Sequence, residues 1–192
     1  IGQYTLVECD EDGRILCQYR LLVLIMDDRG RELLGKMTAL CSRREYCEAD
    51  IRKKLAKARQ EDGSIAADAA ARAQMEDDII DFLKKEKFID DLRYATAYVR
   101  DKSAIAGWGR VKIRHSLSAK GVSRECVETA LAELDGNPGL AKLEKALKMK
   151  AAKLRDDPHC KFKLLRFALG RGYEYDEIRG LVDAAVKTPD EE

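Results

Sequence analysis

Shifted by 51 residues, the chain falls on itself. Lys112-Ile113-Arg114-His115-Ser116-Leu117-Ser118-Ala119-Lys120-Gly121-Val122 then lies over Lys163-Leu164-Leu165-Arg166-Phe167-Ala168-Leu169-Gly170-Arg171-Gly172-Tyr173. Each stretch reads as an apolar helix, a basic residue, a Gly, and then a β-branched or aromatic residue. A second helix start follows, with Ser123 and Glu125 in one copy and Tyr175-Asp176 in the other. A shift of 62 puts Ile51 and Leu55 on Ile113 and Leu117. Residues 38–100, 101–138 and 139–192 therefore read as three copies of one helical unit, the last ending in an acidic tail. Gly at the turn has a physical reason, because a helix commonly ends on a residue at positive φ. A repeat whose members touch mainly their neighbours predicts an elongated array.

Helical periodicity runs from residue 36 onward. Leu40, Cys47, Ile51 and Leu55 form one stripe; Ile79, Ile80 and Leu83 form another. Tyr94, Ala97, Tyr98 and Ile105 form a third, followed by Val127, Ala130, Leu131 and Leu134. Leu140, Leu143, Leu147, Ala151 and Leu154 precede Leu164, Leu165 and Ala168, then Ile178, Leu181, Val182 and Ala185. Breaks at Gly107-Trp108-Gly109, Gly121, Gly136-Asn137-Pro138, Asp157-Pro158 and Gly170-Arg171-Gly172 make the helices short. The fold class is mainly α. Residues 1–37 are the exception: Tyr4–Cys9 and Ile15–Met26 look like strands, punctuated at Asp10–Gly13 and Asp27–Gly30, and predict a small β-hairpin or meander. The segment is expected to continue into a first helix near Glu32. Residues 59–77, rich in Ala and Asp, read as a polar helix or a loop insertion.

Charged residues make up 37% of the 192, and the net charge is only +1, against roughly 25% charged in an ordinary globular chain. The balance hides segregation. Residues 1–92 carry 16 basic and 20 acidic side chains; residues 93–171 carry 18 and 8, a net of +10; residues 172–192 carry 2 and 7. The middle can attract a polyanion or an acidic protein face, although the whole chain cannot. The longest apolar run, Leu21 to Met26, falls far short of the roughly 20 residues that span a bilayer. No membrane role is expected. Cys9, Cys17, Cys41, Cys47, Cys126 and Cys160 form no C-x-x-C pair, and His115 and His159 are distant. This predicts reduced thiols in a cytoplasmic protein, not a zinc site.

A family resemblance rests on three motifs in order. Ala39-Leu40-Cys41-Ser42-Arg43-Arg44-Glu45-Tyr46-Cys47-Glu48-Ala49-Asp50-Ile51-Arg52-Lys53-Lys54-Leu55 resembles the opening signature of the RecX family, regulators of the RecA recombinase. Phe88-Ile89-Asp90-Asp91-Leu92-Arg93-Tyr94-Ala95, with Tyr98-Val99-Arg100, is similar to the end of that family's first repeat. Gly107-Trp108-Gly109-Arg110-Val111-Lys112-Ile113-Arg114 through Lys120-Gly121-Val122 is similar to the second. Leu164 to Gly172, with Tyr173, Tyr175, Asp176, Ile178 and Arg179, is similar to the third. The resemblance covers residues 38–187. Residues 59–77 depart from it as an insertion, and residues 1–37 match poorly. It implies a curved array of tandem three-helix repeats in the groove of the RecA–DNA filament. The implied role is to hinder ATP hydrolysis, strand exchange and co-protease work in recombination, DNA repair and the SOS response.

On this reading the partners are the RecA filament and, non-specifically, single- or double-stranded DNA, and the protein is a monomer. The expected contacts are Arg93, Arg100, Arg110, Lys112, Arg114 and Lys120, with Lys163, Arg166 and Arg171 in the third repeat. Arg holds a carboxylate or phosphate in a fork, whereas Lys acts as a point charge. Trp108, Tyr94 and Tyr98 are expected to pack the repeat and not to stack on bases. Asp90-Asp91 is expected to cap a helix and not to bind metal. Gly107-x-Gly109 lacks the rest of a phosphate loop, so neither enzyme nor cofactor is expected. The alternative is a helix-turn-helix-like module for free DNA over residues 110–134. Its second helix, with Glu125, Glu128 and Glu133 against Arg124, is poorly suited to a phosphate-lined groove.

Overall fold

In the computed structural model, residues 26–61, 69–133, 136 and 138–187 are described; all secondary structure among them is helical. The chain divides into two compact units, residues 1–90 and 91–192.

The first unit contains α1 (Asp28–Cys41), α2 (Glu48–Glu61) and α3 (Ala69–Lys85). The expected strands over residues 1–25 lie outside the described residues. The helix expected near Glu32 is α1, and it begins earlier: Asp27–Gly30, read as turn punctuation, starts it. Asp27 is its N-cap, accepting a hydrogen bond from the Gly30 N–H at 2.7 Å, which satisfies one of the donors a helix start leaves open. Leu33, Leu34 and Met37 then recur at helical spacing and are buried with Ile51, Leu55, Ile79, Ile80 and Leu83. Each such side chain contributes about 1.5–3 kcal/mol by leaving water, enough to override local strand propensity. Of the residues read as an insertion, 69–77 form the first turns of α3, the polar-helix alternative for that part; residues 62–68 lie outside the described residues. Glu48 ties α2 to α3, accepting from Lys84 Nζ at 2.7 Å and Arg52 Nε at 2.8 Å. These cations hold its carboxyl below the ordinary value, Lys84 most strongly.

The second unit holds six helices: α4 (Asp91–Ala104), α5 (Arg110–Ala119), α6 (Arg124–Ala132), α7 (Gly139–Lys153), α8 (Cys160–Gly170) and α9 (Tyr175–Lys187). The helices α4, α5 and α6 pack on one another, as do α7, α8 and α9, and α4 also touches α7. The 51-residue register is visible atom by atom. Ile113, Leu117, Val122, Val127 and Leu131 are buried, and so are their counterparts Leu164, Ala168, Tyr173, Ile178 and Val182. Gly121 and Gly172 sit at φ 83° and 85°. Val122 N–H donates to Leu117 O and Tyr173 N–H to Ala168 O, closing each helix with the same left-handed turn. Ser123 caps α6 through its hydroxyl, while Glu177 reaches back to the Glu174 N–H at the start of α9.

One stripe is rotated from expectation. The buried face of α4 is Tyr94, Ala95, Val99 and Ser103, whereas Ala97 and Ile105 are exposed. Ile105 lies past the helix end, so helical spacing no longer places it. The stretch to Arg100, read as closing the first repeat, is part of α4, and α4 packs with α5 and α6 in the second unit.

Between the two helix trios of this unit, loop meets loop through main chain. Gly109 N–H donates to Arg171 O at 2.9 Å and Val111 N–H to Gly172 O at 3.1 Å. A Cβ at Gly109 would come within 2.1 Å of Gly172 O, and one at Gly172 within 2.3 Å of Lys112 Cβ. The Tyr173 hydroxyl donates to Gly107 O at 3.3 Å. Lys142 Nζ adds bonds to Ala104 O and Ile105 O.

Candidate partner-binding surfaces of the second unit

The nine basic residues expected to make contacts fall into different environments. Arg110 points inward along the protein surface: its guanidinium donates to Leu131 O at 2.8 Å and Gly136 O at 3.3 Å, satisfying carbonyls at the end of α6. Arg114 forms a fork with Glu128, at 2.6 and 3.1 Å. That fork raises the Arg114 pKa and lowers that of Glu128. Arg171 donates to Ala106 O at 3.2 Å and lies over the Phe167 ring. Arg93 and Arg100 are exposed on α4.

Lys112 and Lys120 belong to a stripe that the sequence reading lacked. The Tyr94 and Tyr98 rings stack with centroids 6.0 Å apart. Lys120 Nζ lies 5.7 Å from the Tyr94 ring and Lys102 Nζ 5.2 Å from that of Tyr98. Lys102 is also 5.1 Å from the Trp108 ring, and Lys112 is 4.4 Å from it. Three ammonium groups and three aromatic rings thus form one row, Lys120–Tyr94–Tyr98–Lys102–Trp108–Lys112, over α4, α5 and the loop between them. The packing roles expected for the rings fit in part: Tyr94 is buried, while Tyr98 and Trp108 are half-buried. Each lysine gains attraction from the ring quadrupole, about 0.5–1 kcal/mol at exposed sites. Lys102, Lys112 and Lys120 are themselves half-buried. Lys102 is the functional candidate that was missed; its signal was the spacing Tyr94, Tyr98, Lys102, two successive helical steps of four.

Lys163, Arg166 and Arg171 come together elsewhere, in an open groove of about 510 Å3 that also includes Lys150, Leu154 and Phe167. Lys163 pairs with Asp157.

A family model described as "RecX, second three-helix domain" matches residues 90–131, the span of α4 to α6. The regulatory protein RecX of Salmonella paratyphi A is 30% identical over 151 residues, a match covering 77% of this chain and 87% of the relative. The chain belongs to the RecX family of regulatory proteins. RecX of Clostridium botulinum strain Eklund 17B is 38% identical over 111 residues, 56% of this chain; the match spans about half the length of that relative. Two solved RecX structures share the fold at 20% identity. One has a TM-score of 0.67, covering 94% of this chain and 81% of its own. The other, from Lactobacillus salivarius, has a TM-score of 0.65, with coverage of 86% and 99%. Among the described residues no helix is long and apolar enough to cross a membrane.

Proposed function

We propose that this RecX-family chain regulates the RecA recombinase without catalysis of its own, by binding the RecA–DNA filament and lowering its ATPase, strand-exchange and co-protease activities. Family membership supports the partner. The observation that carries the mode of contact is the lysine–aromatic stripe of α4 and α5. It is a basic surface whose cations are held in place, so less side-chain freedom is lost on binding. The contact set centres on Lys102, Lys112 and Lys120; Arg93 and Arg100 are exposed on another face of α4. Arg110, Arg114 and Arg171 act by shaping this unit, since their guanidinium groups already hold carbonyls or a carboxylate. The repulsion that α6 would meet in a DNA groove, with Glu125 and Glu128 on it and Glu133 just past its end, disfavours sequence-specific readout. Any DNA contact is then to backbone phosphate, non-specific and steeply salt-dependent.

The test is titration of the protein into the cognate recombinase on single-stranded DNA, reading ATP hydrolysis and filament co-sedimentation. Inhibition with co-sedimentation is expected. Unchanged hydrolysis and no co-sedimentation at excess protein would overturn the proposal, and sequence preference on free DNA would favour the helix-turn-helix reading.

A further inference from the structure

The groove between α7 and α8 is chemically distinct from the stripe. It gathers four cations, Lys150, Lys163, Arg166 and Arg171, around one aromatic ring and one aliphatic side chain, Phe167 and Leu154. Lys150 Nζ and the Arg171 guanidinium lie 5.1 and 4.7 Å from the Phe167 centroid, so the ring gathers two of the charges to itself. Arg171 is anchored further by its bond to Ala106 O. Arg166 is exposed and has no hydrogen-bond or ion-pair partner among the described residues. The only carboxylate paired with a groove cation, among the described residues, is Asp157 on Lys163. Like charges gathered on one open groove repel. An anion relieves that repulsion.

We infer that this groove is a binding site for a small polyphosphate-bearing ligand, the class that includes nucleoside di- and triphosphates. Its volume of about 510 Å3 falls within the roughly 300–1,000 Å3 of small-molecule sites. Several cations converging on one place match several phosphates on one centre, whereas a nucleic-acid strand spreads its charges along an axis. Arg166 supplies a fork for phosphate oxygens, Lys150 and Lys163 supply point charges, and Arg171, already anchored, adds its charge to the groove wall. Ligand competes with Asp157 for Lys163. The inference is independent of the recombinase reading, because it concerns free ligand and the isolated protein.

The experiment is calorimetric titration of the full chain with sodium tripolyphosphate, with ATP, and with a short oligothymidylate. Tripolyphosphate and ATP are expected to bind with one-to-one stoichiometry. Arg166→Ala and Lys150→Ala should each weaken both by about tenfold, the worth of one charge-assisted hydrogen bond. Arg124→Ala, an exposed change on α6, should leave them unaltered. Neither residue changed in the groove holds the fold together through a hydrogen bond, and matching circular dichroism confirms that each variant is folded. Absence of saturable binding by both small probes overturns the inference. So does binding that is indifferent to Arg166 and Lys150, or dependence on these residues for the oligonucleotide alone.

Discussion

Replacing Gly109 by Ala tests whether the two helix trios of the second unit are joined by main chain. The backbone at Gly109 is ordinary, with φ −78° and ψ 164°, so alanine meets no torsional penalty there. The whole effect must come from space. The new methyl would stand 2.1 Å from Gly172 O, 2.4 Å from Gly172 C and 2.6 Å from Tyr173 N. All three are backbone atoms and cannot swing aside like a side-chain tip. The loops must part, which breaks the Gly109–Arg171 and Val111–Gly172 hydrogen bonds. Each is worth about 0.5–1.5 kcal/mol net, and a donor left buried without a partner costs about 1–3 kcal/mol. A loss of about 2–4 kcal/mol follows. At about 4–8 °C per kcal/mol for a domain near this size, the melting temperature falls by about 10–25 °C. Trp108 is the only tryptophan of the chain and adjoins the loop, so its fluorescence during urea unfolding reports on this unit. Gly180→Ala is the control. Gly180 lies within α9 with nothing within 4 Å of an added Cβ, so the same methyl should stabilise by about 0.5–1 kcal/mol. A Gly109→Ala loss below about 0.5 kcal/mol would refute the close-approach argument.

Three further outcomes are expected. Lys102→Glu with Lys112→Glu should shift the ATPase inhibition curve to several-fold higher protein concentration without unfolding the chain; an unmoved curve removes the stripe from the contact. Burial pushes the Tyr173 hydroxyl up to about 12 from 10.0. A raised folded pKa means that its contribution is complete below pH 10 and is lost as pH climbs toward 12; Tyr173→Phe should flatten that decline, and an unchanged pH profile of stability would contradict it. Glu48 behaves oppositely. Its carboxyl is depressed chiefly by Lys84, so its contribution is present above the ordinary carboxylate pKa and fades as pH falls through the lowered value. Lys84→Met should move the Glu48 titration, followed by NMR, back toward 4.5.

Much of the second unit was legible because its determinants are local. Ile113, Leu117, Gly121 and Val122 repeat as Leu164, Ala168, Gly172 and Tyr173, and one turn of chain carries all the information that a buried helix and its left-handed end require. The face of α4 was less legible. Tyr94 and Tyr98 pointed to one stripe, but packing against α5, α6 and α7 selects Ala95, Val99 and Ser103 beside Tyr94, and small residues signal burial weakly. The roles of Arg110 and Arg114 were hidden for another reason. Their partners, Leu131 O and Glu128, lie 21 and 14 residues away, and a carbonyl leaves no mark in the sequence. Arg171 likewise answers to Ala106 O, 65 residues distant. A cluster of positive charge was therefore readable, while the division between cations that bind inward and cations that face outward was not. In the first unit, Asp27-Asp28-Arg29-Gly30 serves a hairpin turn or a helix start equally well, and burial of Leu33, Leu34 and Met37 decides for the helix.

The loop-to-loop join has a consequence for how such a chain tolerates change. Peptide groups are the same whatever side chains they carry, so a joint built from them is blind to most substitutions. It asks only that nothing larger than hydrogen stand at Gly109 and Gly172. The spacing of successive helix trios can then persist while the outward residues drift, which accords with a shared fold at 20% identity. Vocabulary on the surface and grammar at the joint are free to evolve at different speeds.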